Sequence, residues 1–103
     1  MKELVYDKKG NPIYLTNERW QHIIEYHEEM IGYKDHLLLT LKKGRRRQDP
    51  IDPSIYTYYR RFGDLEVGFN HVIVIVKFGM IILDGKEAPN NFVLTAYQKF
   101  LYK

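Results

Sequence analysis

The chain has 103 residues, a hydrophobic fraction of 45% and a net charge of +3, which together indicate one globular domain spanning residues 1–103. It contains no cysteine, so disulfide scaffolds, cysteine-ligated zinc sites and thiol nucleophiles are excluded. No apolar run approaches the roughly 18 residues that a membrane-spanning helix needs, and the N-terminus lacks the apolar segment of a signal peptide. We therefore expect a cytoplasmic protein that makes no contact with a membrane.

The first half of the chain predicts a hairpin followed by two helices. Short apolar runs flank a Lys-Gly-Asn-Pro turn in LVYDKKGNPIYLT, which is typical of a hairpin. Thr16 or Asn17 can cap a first helix, which we expect to end near Gly32. A second helix is predicted from Tyr33 to Lys43, with Gly44 as its stop.

Beyond the second helix the pattern changes from helical to extended. The arginine run and DPIDP predict an extended loop, because each proline restricts the residue before it. Three later segments, IYTYYRRF, HVIVIVKF and FVLTAY, are rich in strand-forming residues. Helices followed by successive strands predict an α+β domain, in which the N-terminal hairpin and the two helices pack on an antiparallel sheet of about four strands.

His22 and His27 lie in the first predicted helix, within NERWQHIIEYHEEM. Five positions along a helix would separate them by about 140° around the axis, whereas zinc-binding helices place histidines four positions apart, so no metal site is predicted. His27 falls on the apolar stripe with Trp20 and Ile23. There it is either a packing residue or, at the end of the stripe, a proton carrier that opens onto a cleft.

Alternation along the predicted strands assigns their side chains to two faces. One face is expected to pack against the helices and includes Phe92, Leu94 and Ala96. The opposite face would display Lys77, Thr95, Tyr97, Tyr59 and Arg61, the last two if the first strand alternates strictly. This mixture of cations, hydroxyls and rings suits an RNA strand, and it is also common on the solvent face of a half-buried sheet.

The segment KKGRRR concentrates positive charge, with five cations in residues 42–47. Clustered cations suit a polyanion such as nucleic acid, although a loop of this composition can also serve solubility alone. The predicted RNA-binding residues combine this run with the cations and one ring of the sheet face: Lys42, Lys43, Arg45, Arg46, Arg47, Tyr59, Arg61 and Lys77.

The segment IYLTNERWQHIIEYHEEM, together with YYRRF, VIVIVKF and the closing FVLTAY, resembles the phage-associated branch of the barnase–EndoU–colicin–RelE-like (BECR) nuclease superfamily. The resemblance covers residues 4–98. It implies N-terminal helices on an antiparallel sheet of about four strands, and metal-independent RNA cleavage that uses no cofactor. The catalytic residues that it implies are His22, His27, Arg60, Thr95 and Tyr97.

The activity implied by this resemblance is that of a toxin-like or phage-associated endoribonuclease. A base removes the proton of the 2′-hydroxyl, the oxygen attacks the adjacent phosphorus, and an acid protonates the leaving 5′-oxygen, which yields a 2′,3′-cyclic phosphate. His27 would act as the base or the acid, with His22 or Tyr97 in the opposite role.

An arginine of YYRR would stabilise the charge on the phosphate, and Thr95 would hydrogen-bond the same group. The resemblance assigns this role to Arg60. Strict alternation instead points Arg61 toward Thr95 and Tyr97, unless a bulge within YTYYRRF changes the phase of the strand.

Two other functions fit the same sequence. One is a non-catalytic RNA- or protein-binding module, whose affinity would depend on the arginine run more than on His27. The other is a toxin-like or regulatory protein whose basic face is covered by a cognate acidic inhibitor protein.

Overall fold

The computed structural model describes residues 2–102, so Met1 and Lys103 of the predicted domain lie outside the described residues. Helix α1 spans Asn17–Tyr26 and helix α2 spans Lys34–Lys43, with a short 3-10 turn at Glu28–Met30 between them. Residues 2–102 contain eight strands: β1 Lys2–Tyr6, β2 Pro12–Thr16, β3 Arg45–Gln48, β4 Ile55–Arg61, β5 His71–Lys77, β6 Met80–Leu83, β7 Lys86–Pro89 and β8 Phe92–Lys99.

Six strands form one curled, mixed sheet in the order β1, β2, β8, β5, β4, β3. Neighbouring strands in this sheet are antiparallel, except that β2 runs parallel to β8, with Tyr14 opposite Phe92. Strands β6 and β7 pair separately as a two-stranded sheet. Strands account for 44% of the described residues and helices for 23%, so a half-barrel sheet dominates the fold.

The predicted architecture, with the hairpin and two helices packed on a four-stranded antiparallel sheet, is therefore wrong. The hairpin is part of the sheet, because Asn91, just before β8, holds β2 beside that strand. Its side-chain Nδ2 donates to Pro12 O at 2.8 Å, and its main-chain carbonyl oxygen accepts from Tyr14 N–H at 3.0 Å. Arg45–Gln48 is a strand rather than a loop. Its residues have little strand propensity of their own, and pairing with β4 imposes the extended conformation.

Helix α1 begins where the sequence predicts and ends earlier. The Thr16 hydroxyl accepts a hydrogen bond from Arg19 N–H at 3.0 Å and so caps the helix. The last helical residue is Tyr26, and His27 leaves the helical conformation with φ −133° and ψ 75°. The expectation of a helix that continues to Gly32 is wrong, and this early end moves His27 off the apolar stripe.

Helix α2 ends at Gly44, as the sequence predicts, and leads directly into β3. A methyl group on Gly44 would collide with the carbonyl oxygen of Thr40 and lie 2.7 Å from that of Tyr59. Since real Cβ atoms do not approach so closely, glycine lets the chain turn from the helix into a strand beside β4.

The core lies between the helices and one face of the sheet. Val72, Val74 and Val76 of β5 are fully buried there, as the alternation of HVIVIVKF predicts, and they belong to one cluster with Leu37 and Leu41 of α2. Burying aliphatic side chains of this kind contributes about 1.5–3 kcal/mol each. Ile73 and Ile75, on the opposite face of β5, are not part of this cluster.

A bulge in β8 changes one predicted face. Ile75 pairs with Thr95 and Val76 pairs with Val93, so Leu94 is the extra residue. Val93 therefore points into the core with 1% exposure. Of the side chains expected on the buried face, Ala96 is fully buried, whereas Phe92 and Leu94 are only partly buried.

The hairpin is joined to the middle of the sheet by a buried hydrogen bond. Tyr58 of β4 is 1% exposed, and its hydroxyl donates to Asp7 Oδ2 at 2.5 Å. Burial alone would raise the pKa of the Asp7 carboxyl, but hydrogen bonds from Tyr58, Asn11 and Lys9 N–H together lower it below its usual range. The pKa of Tyr58 is raised by burial and by its bond to Asp7.

Candidate nucleic-acid interface

Alternate residues of four neighbouring strands share the face of the sheet opposite the core. Residues directly opposite each other on paired strands point to the same side, so the register defines rows of side chains across β3, β4, β5 and β8. Three rows follow from the pairing: Arg47, Thr57, Ile75 and Thr95; Arg45, Tyr59, Ile73 and Tyr97; and Arg61, His71 and Lys99.

Nine of these eleven residues form the floor of a groove of about 890 Å³, which we call the basic groove, whereas Ile75 and Thr95 do not line it. Among the residues that the structure describes, the groove is lined by seven cationic side chains and by no carboxylate. Such a surface concentrates positive potential and attracts anionic ligands. The cations are Lys8, Lys43, Arg45, Arg47, Arg60, Arg61 and Lys99.

Three tyrosines line the basic groove beside these cations: Tyr59, Tyr97 and Tyr102. Aromatic rings in a basic groove offer stacking surfaces for unpaired bases, while the cations contact the phosphates. The groove therefore combines the two features by which proteins hold a single nucleic-acid strand.

His71 lines the basic groove, although the sequence analysis did not select it as a site residue. The residue is 5% exposed, and Nδ1 of its imidazole lies 2.8 Å from Asn70 Oδ1. Asn70 is oriented by Leu101, which donates from N–H to Oδ1 at 2.8 Å and accepts from Nδ2 at 2.7 Å. Because Oδ1 accepts, Nδ1 carries the proton and donates to it, which leaves Nε2 with a lone pair.

The charge of His71 follows from the same surroundings. Burial lowers the pKa of the imidazole, and the positive charge of Arg61 lowers it further. Both effects favour the neutral ring at physiological pH. The signal in the sequence was the strand alternation, which places a titratable residue at the start of HVIVIVKF on the same face as Lys77.

A second depression, which we call the histidine pocket, adjoins the basic groove. Its volume is about 440 Å³, and it lies between α1 and the bulge of β8. The side chain of His27 is 35% exposed, and its ring centroid is 5.6 Å from that of Tyr97, a residue of the groove. The residues that line the pocket are Arg19, His22, Tyr26, His27, Leu94 and Thr95.

The predicted catalytic residues divide between the two depressions. His22, His27 and Thr95 line the histidine pocket, and Tyr97 stands between the pocket and the groove. Arg60 lines the groove, with its guanidinium carbon 4.7 Å from the centre of the Phe62 ring. The predicted arginine of YYRR is thus absent from the described lining of the pocket.

The guanidinium that does line the histidine pocket belongs to Arg19, which the sequence analysis did not single out. Arg19 and His22 are three positions apart on α1, so they are neighbours on the helix surface. The His22 ring lies 4.7 Å from that of Tyr26. The three-residue spacing of Arg19 and His22 could have identified Arg19 from the sequence, because it places both side chains on one surface of the helix whatever the sheet topology is.

The predicted RNA-binding residues also divide into two groups. Lys43, Arg45, Arg47, Tyr59 and Arg61 line the basic groove, whereas Lys42, Arg46 and Lys77 do not. Arg46 is opposite Tyr58 and faces the other way, with its guanidinium carbon 4.2 Å from the centre of the Tyr56 ring. Lys77 Nζ lies 3.5 Å from Asp52 Oδ2.

Between residues 2 and 102, no three histidine or carboxylate side chains are grouped so that they could hold a metal ion. His36 makes its contact with Asp64, whose carboxylate oxygens lie 3.0 Å from Nε2. In the same range, no helix has the length and apolar character required to cross a membrane.

Comparisons with known proteins leave the nuclease resemblance as a prediction. No family model, curated protein or solved structure matches the chain. The function proposed next therefore rests on the geometry of the basic groove and the histidine pocket.

Proposed function

We propose that this protein binds single-stranded RNA along the basic groove and cleaves it at the histidine pocket without using a metal ion. One observation carries the proposal, which is that the basic groove and the histidine pocket meet at Tyr97. The groove is lined by cations and by no carboxylate in the described part of the chain. The pocket is lined by two histidines, an arginine and a threonine. The groove would hold the substrate and the pocket would supply the proton-transfer groups.

Single-stranded RNA is the polyanion that best fits the groove. The rings of Tyr59 and Tyr97 lie on the floor among the cations, where they can stack on exposed bases. In a duplex the bases are already stacked on one another, so these rings would have no base face to contact. The cations of the floor contact phosphates whatever the base sequence.

RNA carries its own nucleophile, so cleavage needs a base, an acid and charge stabilisation. The base takes the proton of the 2′-hydroxyl, the bond from that oxygen to phosphorus forms, and the bond to the 5′-oxygen breaks as the acid protonates it. His27 serves as base or acid, and His22 or Tyr97 takes the opposite role.

Arg19 and Thr95 are placed to stabilise the phosphate in this reaction. Both line the histidine pocket, where a guanidinium and a hydroxyl can donate to the non-bridging oxygens as their charge develops. Arg19 takes the role that the sequence resemblance gave to an arginine of YYRR, since Arg60 and Arg61 line the groove instead.

The experiment uses end-labelled single-stranded RNA and DNA of the same sequence, each incubated with the protein in excess chelator. We expect RNA fragments that end in a 2′,3′-cyclic phosphate and intact DNA, because DNA lacks the attacking hydroxyl. Cleavage that appears only when magnesium is added contradicts the mechanism. RNA that stays intact while bound shows that the protein binds without cleaving.

A non-catalytic RNA-binding module is the second candidate, favoured by the division of the predicted catalytic residues between the two depressions. Neither Arg60 nor Arg61 is among the described residues that line the histidine pocket, so phosphates held by these arginines lie in the groove. This function predicts salt-dependent RNA binding that yields no product.

A cognate acidic inhibitor protein, the other partner proposed from the sequence, would cover the same cations.

A further inference from the structure

Within the basic groove, the His71 imidazole differs chemically from the cations around it. Arg61 and Lys99 can only donate hydrogen bonds, whereas Nε2 of a neutral imidazole can only accept one. The tautomer is set by the Asn70 side chain, which Leu101 holds through both its amide atoms. Nε2 makes no hydrogen bond to any described residue and is not among the fully buried polar atoms, so a ligand in the groove can reach it.

The position of His71 indicates which ligand atom it would meet. Arg61 and Lys99 are its direct cross-strand neighbours, one on each side, at the usual strand spacing of about 4.8 Å. If these two cations contact successive phosphates, the group between them is a sugar. Phosphodiesters have no donor, and the sugar of an internal RNA residue has one, the 2′-hydroxyl, which DNA lacks.

We propose that His71 Nε2 accepts a hydrogen bond from the 2′-hydroxyl of a ribose held between Arg61 and Lys99, and that it thereby makes the basic groove select RNA over DNA. The inference rests on the proposed RNA-binding function of the groove. It concerns recognition and not cleavage, so it holds whether or not the histidine pocket is active.

A purely structural role for His71 makes a different prediction. The ring is nearly buried and connects through Asn70 to the C-terminal segment at Leu101. If it served packing alone, its substitution would change stability, or would weaken RNA and DNA binding by the same factor. The ratio of the two affinities therefore separates the roles.

The experiment measures fluorescence anisotropy of three labelled uracil-containing strands at one salt concentration: all-ribose, all-deoxyribose and 2′-fluoro, which cannot donate. Wild type is expected to bind the ribose strand about fivefold more tightly than the other two, the typical effect of one hydrogen bond. In His71→Leu the three affinities should become equal. His71→Gln should keep part of the preference, because its amide oxygen can accept. Each protein, including the one with His71 unchanged, also carries His27→Ala, because the proposed nuclease would otherwise cut the ribose strand, and a gel after each titration verifies that the RNA is intact.

Lys99→Ala is the matched control, since it removes a cation next to His71 and should lower ribose and deoxyribose binding equally. A folded His71→Leu protein that keeps the ribose preference overturns the inference. Equal binding of all strands by wild type also overturns it, while leaving RNA binding by the groove intact. No binding of any strand instead refutes the proposed function. If His71→Leu unfolds, the wild-type comparison and His71→Gln decide the question.

Discussion

The basic groove and the histidine pocket adjoin at Tyr97, yet the chain builds them in different ways. The groove comes from regular strand register, which places every second residue of four strands on one face. The pocket depends on two irregularities, the early end of α1 at Tyr26 and the bulge at Leu94. Regular register repeats one kind of contact along a strand, which suits binding. The irregular elements bring together a few different groups, which suits chemistry.

The largest expected effect is on the cleavage rate, and it distinguishes the histidine pocket from the basic groove. His27→Ala should lower the cleavage rate by about 10²–10⁴-fold, because it removes a proton-transfer group. RNA affinity should stay unchanged, since His27 is not among the described residues of the groove. Initial rates in chelator measure cleavage, and anisotropy on a 2′-fluoro strand of the same sequence, which has no attacking hydroxyl, measures affinity. A parallel loss of affinity would show that pocket and groove are one binding surface.

The next largest effect should appear in binding. Replacing both Arg45 and Arg47 with alanine should weaken RNA binding roughly 100-fold, because two charge-assisted contacts to phosphates are lost. The slope of log affinity against log salt should fall by about 1.4, or about 0.7 per phosphate contact for a single strand. The measurement is a salt titration by anisotropy.

Arg46→Ala is the matched control for this pair, because Arg46 lies between them on β3 and faces away from the groove. It should leave both affinity and salt slope unchanged. An equal loss in Arg46→Ala would mean that net charge, and not the groove, determines binding.

A smaller effect, on stability, concerns the support beneath the groove. Tyr58→Phe should lower the free energy of unfolding by about 1–3 kcal/mol at neutral pH, because Asp7 then loses a buried hydrogen bond. The pKa of Asp7 is depressed in the folded protein. Its contribution is therefore present above the unfolded value of 3.8 and is lost as pH falls through the folded value.

Urea unfolding at neutral pH and at a pH below the folded pKa of Asp7 measures this dependence. The difference between wild type and Tyr58→Phe should shrink at the lower pH, where Asp7 is protonated in both states. A difference that is independent of pH would show that the Asp7 carboxylate is not the partner that matters.

The smallest effect compares two adjacent lysines at the end of α2. Lys43 lines the basic groove and Lys42 does not, although both side chains are exposed. Lys43→Ala should weaken RNA binding by about two- to fivefold, as expected for one exposed ion pair, and Lys42→Ala should have no effect. Anisotropy at low salt resolves the difference. Equal losses would place the groove boundary elsewhere.

The sequence predicted the groove better than the pocket, for a physical reason. Alternation is a local property, so it placed Tyr59, Arg61, Thr95 and Tyr97 on the face where the structure has them. Alternation also predicted that Arg61, and not Arg60, points toward Thr95 and Tyr97. In the structure Arg61 lies in one of the three rows, while Arg60 is opposite Val72 of the core. Strand β4 pairs with β5 without a bulge, so Arg61 keeps the face that strict alternation gives it.

The pocket depended on non-local packing that the sequence does not show. No glycine or proline marks the end of α1 at Tyr26. The bulge at Leu94 is visible only when Val93 is seen to fill the core beside Val76. The strand β3 likewise exists because β4 is beside it, and parallel pairing of β2 with β8 could not be deduced from strand order alone.

The central claim is that RNA lies in the basic groove, and crosslinking tests it most directly. A single-stranded RNA with photoreactive thiouridine is bound to the protein, irradiated and digested, and the modified peptides are identified by mass spectrometry. We predict crosslinks at Tyr59, Tyr97 or Tyr102. Crosslinks confined to β6 and β7, outside the described lining of the groove, would contradict the claim.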